Sequence, residues 1–358
     1  MSDSLDELAL LADSAGADVV GRFFQKLNQP LKETYIGKGK LEELLSLKES
    51  LAYDLVIVDD ELTAIQQRNL EGFLGVKIID RVALILDIFA RRARTREGRL
   101  QVELAQSEYL LPRLVGQWLH LERLGGGIGT RGPGESQIET DRRIIRKKIQ
   151  RLRKEIEDVR QQRALYRQRR RKAGIYVVAL VGYTNSGKST LLNAISHSDV
   201  VAENRLFSTL DPTTRRVALP NHRIALFTDT VGFIRKLPPQ IVDAFRATLE
   251  ELQDSDVVAH VVDITLHNAI EQYEAVENIL RAMKLDDKPR ITVLNKIDKI
   301  IGSKGLDEKL IEGFSDRLHQ FPAITRQNTY VVSAIEKLGI SAMMERIAQL
   351  LPGEKSNW

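Results

Sequence analysis

The stretch Ile175-Tyr-Val-Val-Ala-Leu-Val-Gly-Tyr-Thr-Asn-Ser-Gly-Lys-Ser-Thr190 decides the fold. Its first seven residues form an unbroken apolar run, the pattern of a strand buried on both faces. The next eight, Gly182, Tyr183, Thr184, Asn185, Ser186, Gly187, Lys188 and Ser189, fit G-x-x-x-x-G-K-[ST]. Together with Thr190 they open an amphipathic helix, the context a phosphate-binding loop requires. The glycines let backbone N–H groups turn inward around phosphates. Lys188 neutralises the β/γ charge, and the Ser189 hydroxyl is a ligand for Mg²⁺. With glycine near 7 % of residues, a chance match in a chain of this size is on the order of 1 %.

Three further pieces follow in order. Asp229-Thr-Val-Gly232 ends the next apolar strand, 40 residues after Ser189. An Asp there can hold Mg²⁺ through water, and the Gly232 N–H can sense a γ-phosphate. Asn295-Lys296-Ile297-Asp298 follows another strand, as a base-specificity loop should. The Asp298 carboxylate would accept from N1–H and the exocyclic amine of guanine, a donor pair adenine lacks. Ser333 and Ala334, after the last strand, would add a backbone N–H to the guanine oxygen. Four pieces, each after a strand, predict a GTP-hydrolysing core and leave a general P-loop kinase or ATPase as the weaker alternative.

A switch segment is expected between Ser189 and Asp229, carrying a Thr that reaches Mg²⁺ in the GTP state. Thr209 is preferred, with Thr213 the second candidate. Ser189 and Thr209 are thus the expected metal ligands, and Lys188, Thr209 and Gly232 the groups that act on the γ-phosphate. Phe233 stands where many GTPases place a Gln to orient the attacking water. A phenyl ring cannot polarise water, so intrinsic hydrolysis should be slow and depend on a group supplied from outside. Arg205 and Arg215 flank the switch, and neither is assigned as an arginine finger.

Around this core the pattern is α/β. Strands are expected at 257–263, 290–294 and 329–332, helices at 242–252, 269–283 and 340–351, and an antiparallel hairpin over 217–227 turning at Pro220-Asn221. The result is a doubly wound, mostly parallel sheet with one antiparallel edge strand. Before it, 54–59 and 76–80 read as short strands flanking a helix at 62–73 capped by Asp60, a small parallel α/β domain. Gly37 and Gly39 precede a helix there, which suits a tight turn at least as well as an anion site.

Between the two lie heptad seams. Leu100, Leu104, Ser107, Leu111, Leu114, Trp118 and Leu121 form one; Ile145, Ile149, Leu152, Ile156, Val159, Arg163 and Tyr166 form the other. They predict an antiparallel helical hairpin, its first helix kinked or broken by Pro112. A connection with six glycines in the eleven residues 125–135 joins them. The expected divisions are 1–96 for the N-terminal α/β domain, 97–173 for the hairpin with its glycine-rich loop at 125–136, 174–352 for the nucleotide-binding domain, and 353–358 for a tail.

Composition narrows the function. The 358 residues carry 53 Lys/Arg against 49 Asp/Glu, a net +4. Residues 142–172 hold 15 Lys/Arg and three carboxylates, a surplus of +12, so the rest of the chain is −8. Such an arm suits a phosphate-rich partner, and with Tyr166 its one aromatic it suits backbone contact better than base stacking. A solvated helix face is the weaker alternative, because such faces usually mix charges of both signs. Zero cysteine excludes disulfides, Cys-ligated zinc, iron–sulfur clusters and thiol nucleophiles. No apolar run approaches the roughly 20 residues of a membrane span, and the acidic N-terminus is unlike a secretory signal, so a cytoplasmic protein is expected.

These residues resemble the HflX family of translation-associated GTPases. The runs that carry the likeness are Tyr35-Ile-Gly-Lys-Gly-Lys40, Leu86-Asp-Ile-Phe-Ala-Arg-Arg-Ala-Arg-Thr-Arg-Glu-Gly98 and Gly126-Gly-Ile-Gly-Thr-Arg-Gly-Pro-Gly-Glu-Ser-Gln-Ile-Glu-Thr-Asp-Arg142, with 180–190, 209–213 and 229–235. The resemblance covers about residues 18–350. It implies an N-terminal α/β domain and helical linker before the G domain, with Mg²⁺ and GTP/GDP at the site. It also implies binding to the large ribosomal subunit and its ribosomal RNA, and GTP-dependent dissociation of stalled or hibernating ribosomes. The N-terminal domain of such proteins is linked to ATP binding and RNA unwinding, which makes an ATP-dependent RNA remodeller one alternative. A regulatory GTPase acting through protein partners is another. A monomer is expected. The short N-terminus predicts a first strand that is missing or replaced by 5–11, and the end at Trp358 predicts no C-terminal domain of the kind longer members carry.

Overall fold

The computed structural model describes residues 2–114, 133–196, 206–207, 209–236, 252–285, 287–301 and 328–352. Described residues through Val159 form one compact unit and those from Arg160 a second.

In the first unit, helix α1 (Ser2–Ser14) is followed by α2 (Lys38–Ser46), α3 (Lys48–Leu51), strand β1 (Leu55–Val58), α4 (Ala64–Leu74), β2 (Lys77–Asp80), α5 (Arg81–Arg92) and α6 (Arg96–Leu110). β1 and β2 pair in parallel, Leu55 opposite Lys77 and Val58 opposite Asp80. Leu41, Leu44, Leu62, Leu70, Leu74 and Ile78 pack as their core. Of the two expectations for the N-terminus, a missing first strand or its replacement by 5–11, residues 5–11 lie within helix α1, because Leu8, Leu11 and Ala12 recur at helical spacing and all three are buried. The predicted cap at Asp60 is also wrong. Thr63 and Gln66 form a reciprocal capping box, which starts α4 at Ala64 by satisfying two otherwise orphaned N–H groups. Asp60 accepts instead from the Tyr35 hydroxyl at 2.5 Å.

Asp80 is the polar hub of this unit. Fully buried, it accepts from Ala83 N (2.8 Å), Leu62 N (3.1 Å), the Tyr109 hydroxyl (2.9 Å) and Arg113 Nη2 (3.0 Å). Burial of Tyr109, then the Asp80 charge, push its phenol well above the usual range. The Arg113 guanidinium lies over the Tyr109 ring, 3.5 Å from its centroid. Arg113 can reach inward because α6 stops at Leu110, before Pro112.

Residues 115–132, with Trp118, Leu121 and most of the glycine-rich run, lie outside the described residues. The loop expected to reach 136 gives way at Pro133 to helix α7 (Pro133–Lys172), where proline's fixed φ suits a first turn. Ile149 and Leu152 of the second seam are buried, whereas Tyr166 is 65 % exposed. The seam thus fades before its last predicted position. Lys148 pairs with Glu103 at 2.8 Å and Arg153 with Glu108 at 2.7 Å, linking α7 to α6.

The second unit holds a six-stranded sheet of order β4-β5-β3-β6-β7-β8. Its elements are β3 (Tyr176–Gly182), α8 (Lys188–Ser196), β4 (Thr213–Ala218), β5 (Ile224–Asp229), β6 (Val257–Asp263), α9 (Ala269–Ala282), β7 (Arg290–Asn295), α10 (Asp298–Ile301), β8 (Thr329–Val331) and α11 (Ile340–Leu350). All neighbours pair in parallel except β4 with β5, the expected antiparallel edge. The predicted helix at 242–252 falls outside the described residues except for Leu252. Val178, Leu180, Phe227, Val257, Ala259, Ile291 and Val293 are fully buried on the central strands. Every strand that carries a motif ends at the same edge of this sheet, where the site is built.

Candidate functional site

β3 delivers Gly182 into the loop and α8 receives it at Lys188. Gly182 (φ +155°) and Gly187 (φ +94°) hold conformations L side chains rarely adopt. A Cβ on Gly182 would lie 2.1 Å from the Val261 carbonyl, and one on Gly187 2.3 Å from Asn295 Nδ2. Tyr183, Thr184, Ser186 and Lys188 are buried, Asn185 is exposed at the loop's tip, and Thr190 is half-buried in the first turn of α8. The Thr184 and Ser186 hydroxyls have no hydrogen-bond partner among the described residues.

Lys188 is only 6 % exposed, and its ammonium donates to Tyr183 O (2.9 Å) and Gly182 O (3.2 Å). Burial lowers its pKa to about 8, against the favourable pull of Asp229 and with a smaller push from Lys296.

Ser189, Thr209 and Asp229 come together. The Ser189 hydroxyl donates to Asp229 Oδ2 at 2.6 Å, the Thr209 hydroxyl to the same oxygen at 2.9 Å, and the two hydroxyls are 2.9 Å apart. Thr213 instead begins β4 and pairs with Asp229 through the sheet register. Asp229 is fully buried, which raises its pKa, and its Oδ1 has no partner among the described residues. Three hard oxygen donors and one orphaned carboxylate oxygen fit a small divalent cation such as Mg²⁺.

Beyond Asp229 the chain is stitched to the phosphate loop. Thr184 N donates to Phe233 O at 2.7 Å, Phe233 N to Gly182 O at 3.0 Å, and Arg235 N to the Tyr183 hydroxyl at 2.7 Å. Gly232 sits inside this seam: a Cβ there would be 2.7 Å from Thr184 Cα and 3.0 Å from Lys188 Nζ. The Phe233 side chain is buried.

The base-reading residues form a second cluster. Asn295 Nδ2 donates to Ser186 O at 3.0 Å, and Asn295 Oδ1 accepts from Ala334 N at 3.1 Å. Both backbone N–H groups of Ser333-Ala334, expected to supply a donor to guanine, are engaged in this structure, Ser333 N with Leu338 O at 3.1 Å and Ala334 N with Asn295 Oδ1. Ser333 Oγ donates to Asp298 Oδ1 at 2.6 Å and accepts from Glu336 N at 3.1 Å, orienting the carboxylate. Lys296 Nζ donates to Asn185 O at 2.7 Å.

One site residue escaped the sequence reading. Asp263, at the end of β6, pairs with Lys296 at 2.6 Å. The available signal was a carboxylate closing the run Val257–Val262, apolar but for His260, a costly position unless the charge is paired.

The sequence matches three family models: "GTP-binding GTPase N-terminal" over residues 2–90, "GTP-binding GTPase Middle Region" over 92–170, and "50S ribosome-binding GTPase" over 177–296. GTPase HflX of Caldanaerobacter subterraneus subsp. tengcongensis is 50 % identical over 349 residues, 98 % of this chain and 77 % of that protein. GTPase HflX of Escherichia coli (strain K12) is 41 % identical over 352 residues, 98 % of this chain and 80 % of that protein. A GTP-binding protein from the archaeon Sulfolobus solfataricus, solved in complex with GDP, is 28 % identical, with 97 % of this chain and 94 % of that chain covered and a TM-score of 0.48. With relatives of this identity spanning nearly its whole length, the chain belongs to the HflX GTPase family and is a guanine-nucleotide-binding GTP hydrolase.

Proposed function

We propose that this GTPase binds the large ribosomal subunit and uses GTP-dependent switching to dissociate stalled or hibernating ribosomes, working in the cytoplasm as a monomer. The observation that carries the switching is the Thr209 hydroxyl, which reaches Ser189 and Asp229 from outside the sheet. A threonine so placed is held when nucleotide and metal are bound and released when the γ-phosphate leaves, so its segment reports the nucleotide state.

In this reading Gly182–Thr190 cradle the phosphates, Lys188 sets its charge against the β/γ oxygens, and the Gly232 N–H contacts the γ-phosphate. Asn295, Lys296, Asp298 and Ser333 hold the guanine, and the Ala334 N–H would join them on leaving Asn295 Oδ1. Mg²⁺ on Ser189 and Thr209, with Asp229 behind them, would neutralise developing phosphate charge. Phe233 is buried and cannot orient water, so the group that completes catalysis comes from the partner. Residues 142–172, with their surplus of +12, face ribosomal RNA in this proposal, and the divisions 1–96, 97–173 and 174–352 serve as N-terminal domain, arm and motor. Support for the ribosome as partner comes from the matched model described as a 50S ribosome-binding GTPase. Among the described residues no helix is long and apolar enough to cross a membrane.

Sedimentation of the full chain with purified large subunits tests this. Binding is expected with a non-hydrolysable GTP analogue and is lost when five or six of the 142–172 charges are reversed. Binding that survives that reversal favours a regulatory GTPase working through protein contacts.

A further inference from the structure

We propose that Asp263 is a positioning residue for guanine-nucleotide binding, acting through Lys296. The inference rests on the assignment of 295–298 as the base-reading loop. Lys296 leaves β7 with φ +68°, a left-handed conformation that costs a lysine on the order of 1 kcal/mol and persists only where its surroundings hold it. Its side chain runs back to the phosphate loop. Its Cε lies 3.9 Å from where a Gly187 Cβ would stand, and its ammonium donates to the Asn185 carbonyl at 2.7 Å.

Asp263 supplies the opposing charge. Its Oδ2 is 2.6 Å from Lys296 Nζ, with the two side chains 7 % and 14 % exposed, so solvent screens the pair little. The other oxygen, Oδ1, accepts from Thr265 N at 3.0 Å and from Thr265 Oγ1 at 2.6 Å, which fixes the carboxylate plane. Asp263 also lies directly beside Asn295 in the β6–β7 register. One ammonium thus joins the ends of β6 and β7 to the tip of the phosphate loop.

The consequence is a coupling of base reading to phosphate binding. With the ammonium fixed at both partners, the Lys296 stem is preorganised between the loop that reads guanine and the loop that cradles phosphate. Without Asp263 the ammonium keeps, among the described residues, only the Asn185 carbonyl, and the stem must be ordered each time nucleotide binds. Asp263 touches no nucleotide in this scheme; its effect passes through Lys296 alone.

A double-mutant cycle on the full chain, read with N-methylanthraniloyl-GDP, tests the proposal. Lys296→Met should weaken GDP binding about tenfold and Asp263→Asn by about three- to tenfold, mainly through faster release, as for loss of a hydrogen bond to a charged group. The double variant should be no more than about twofold weaker than Lys296→Met, because both changes remove one interaction. In hydrolysis, Asp263→Asn should raise KM for GTP by more than it lowers kcat, a split that general loss of fold would not produce. Should Asp263→Asn fail to fold, Thr265→Val, which drops one of the two bonds orienting the carboxylate, carries the same cycle with an expected loss of about two- to threefold. Losses that multiply in the double variant overturn the proposal. If Lys296→Met alone leaves GDP binding unchanged, the base-loop assignment fails; if Lys296→Met weakens binding and Asp263→Asn does not, only the role of Asp263 fails.

Discussion

The Ser189 hydroxyl and the Asp229 carboxylate meet at 2.6 Å, joining the first turn of α8 to the end of β5. Thr209 enters the same cluster from the segment before β4, at 2.9 Å from each. Thr209→Ala should therefore weaken Mg²⁺-dependent binding of a GTP analogue by about ten- to a hundredfold while GDP binding changes little, since a charge-assisted hydrogen bond contributes about 1.5–3 kcal/mol. Thr213→Ala, at a sheet position, should change it by less than about threefold. Titrations of both nucleotides with and without Mg²⁺ decide between the two threonines.

Lys188 gives the site a pH dependence. Burial brings its pKa from 10.5 to about 8, so the free protein loses this charge as pH rises through 8. Phosphate favours the charged form, and binding above that pH must take up a proton. Nucleotide affinity should fall by up to about tenfold per pH unit above 8 and stay nearly flat below it, down to the range where phosphate itself titrates. Lys188→Met should bind weakly throughout and lack this slope. Fluorescent-nucleotide titrations between pH 7 and 9.5 measure both.

Phe233 occupies the position of a water-orienting Gln, yet its side chain is buried and its backbone is laddered to Gly182 and Thr184. Phe233→Gln should therefore not accelerate intrinsic hydrolysis. It should instead cost about 2–4 kcal/mol of stability, by cavity formation and burial of an amide. Gly232→Ala should be more severe for function, since its methyl would press on Thr184 backbone and Lys188 Nζ. Thermal melts and single-turnover rates separate these effects.

In the N-terminal unit, Asp80→Ala strands four donors at a fully buried position. Breaking such a cluster from one side costs about 3–5 kcal/mol, since it strands buried donors and leaves the Arg113 charge only the more distant Glu61 carboxylate at 3.9 Å. Asp60→Ala, at a part-buried hydroxyl contact, should cost about 1 kcal/mol. Denaturant unfolding of the two variants compares them directly.

The sheet and its motifs were legible because they depend on local order. A buried strand, a glycine turn and a helix start must be contiguous, and 175–190 spells all three. Asp229, Asn295 and Asp298 announce themselves by following apolar strands. Contacts that need tertiary closure were not legible. Asp263 reaches Lys296 across 33 positions of sequence, and Asp80 gathers donors from Leu62 before α4, Ala83 of α5, Tyr109 of α6 and Arg113 beyond it. Helix starts misled where two caps competed: Asp60 looked adequate, but the Thr63–Gln66 box satisfies more N–H groups. The heptad reading overran because spacing alone does not show whether a seam has a partner, and Tyr166 is exposed.

The most direct measurement is the GTP turnover of the full chain with and without purified large ribosomal subunits. A buried Phe233 at the position of a water-orienting Gln predicts slow intrinsic hydrolysis that the subunit accelerates at least about tenfold, and by as much as about 10³-fold if it supplies a catalytic group. A turnover rate that large subunits leave unchanged would contradict the account.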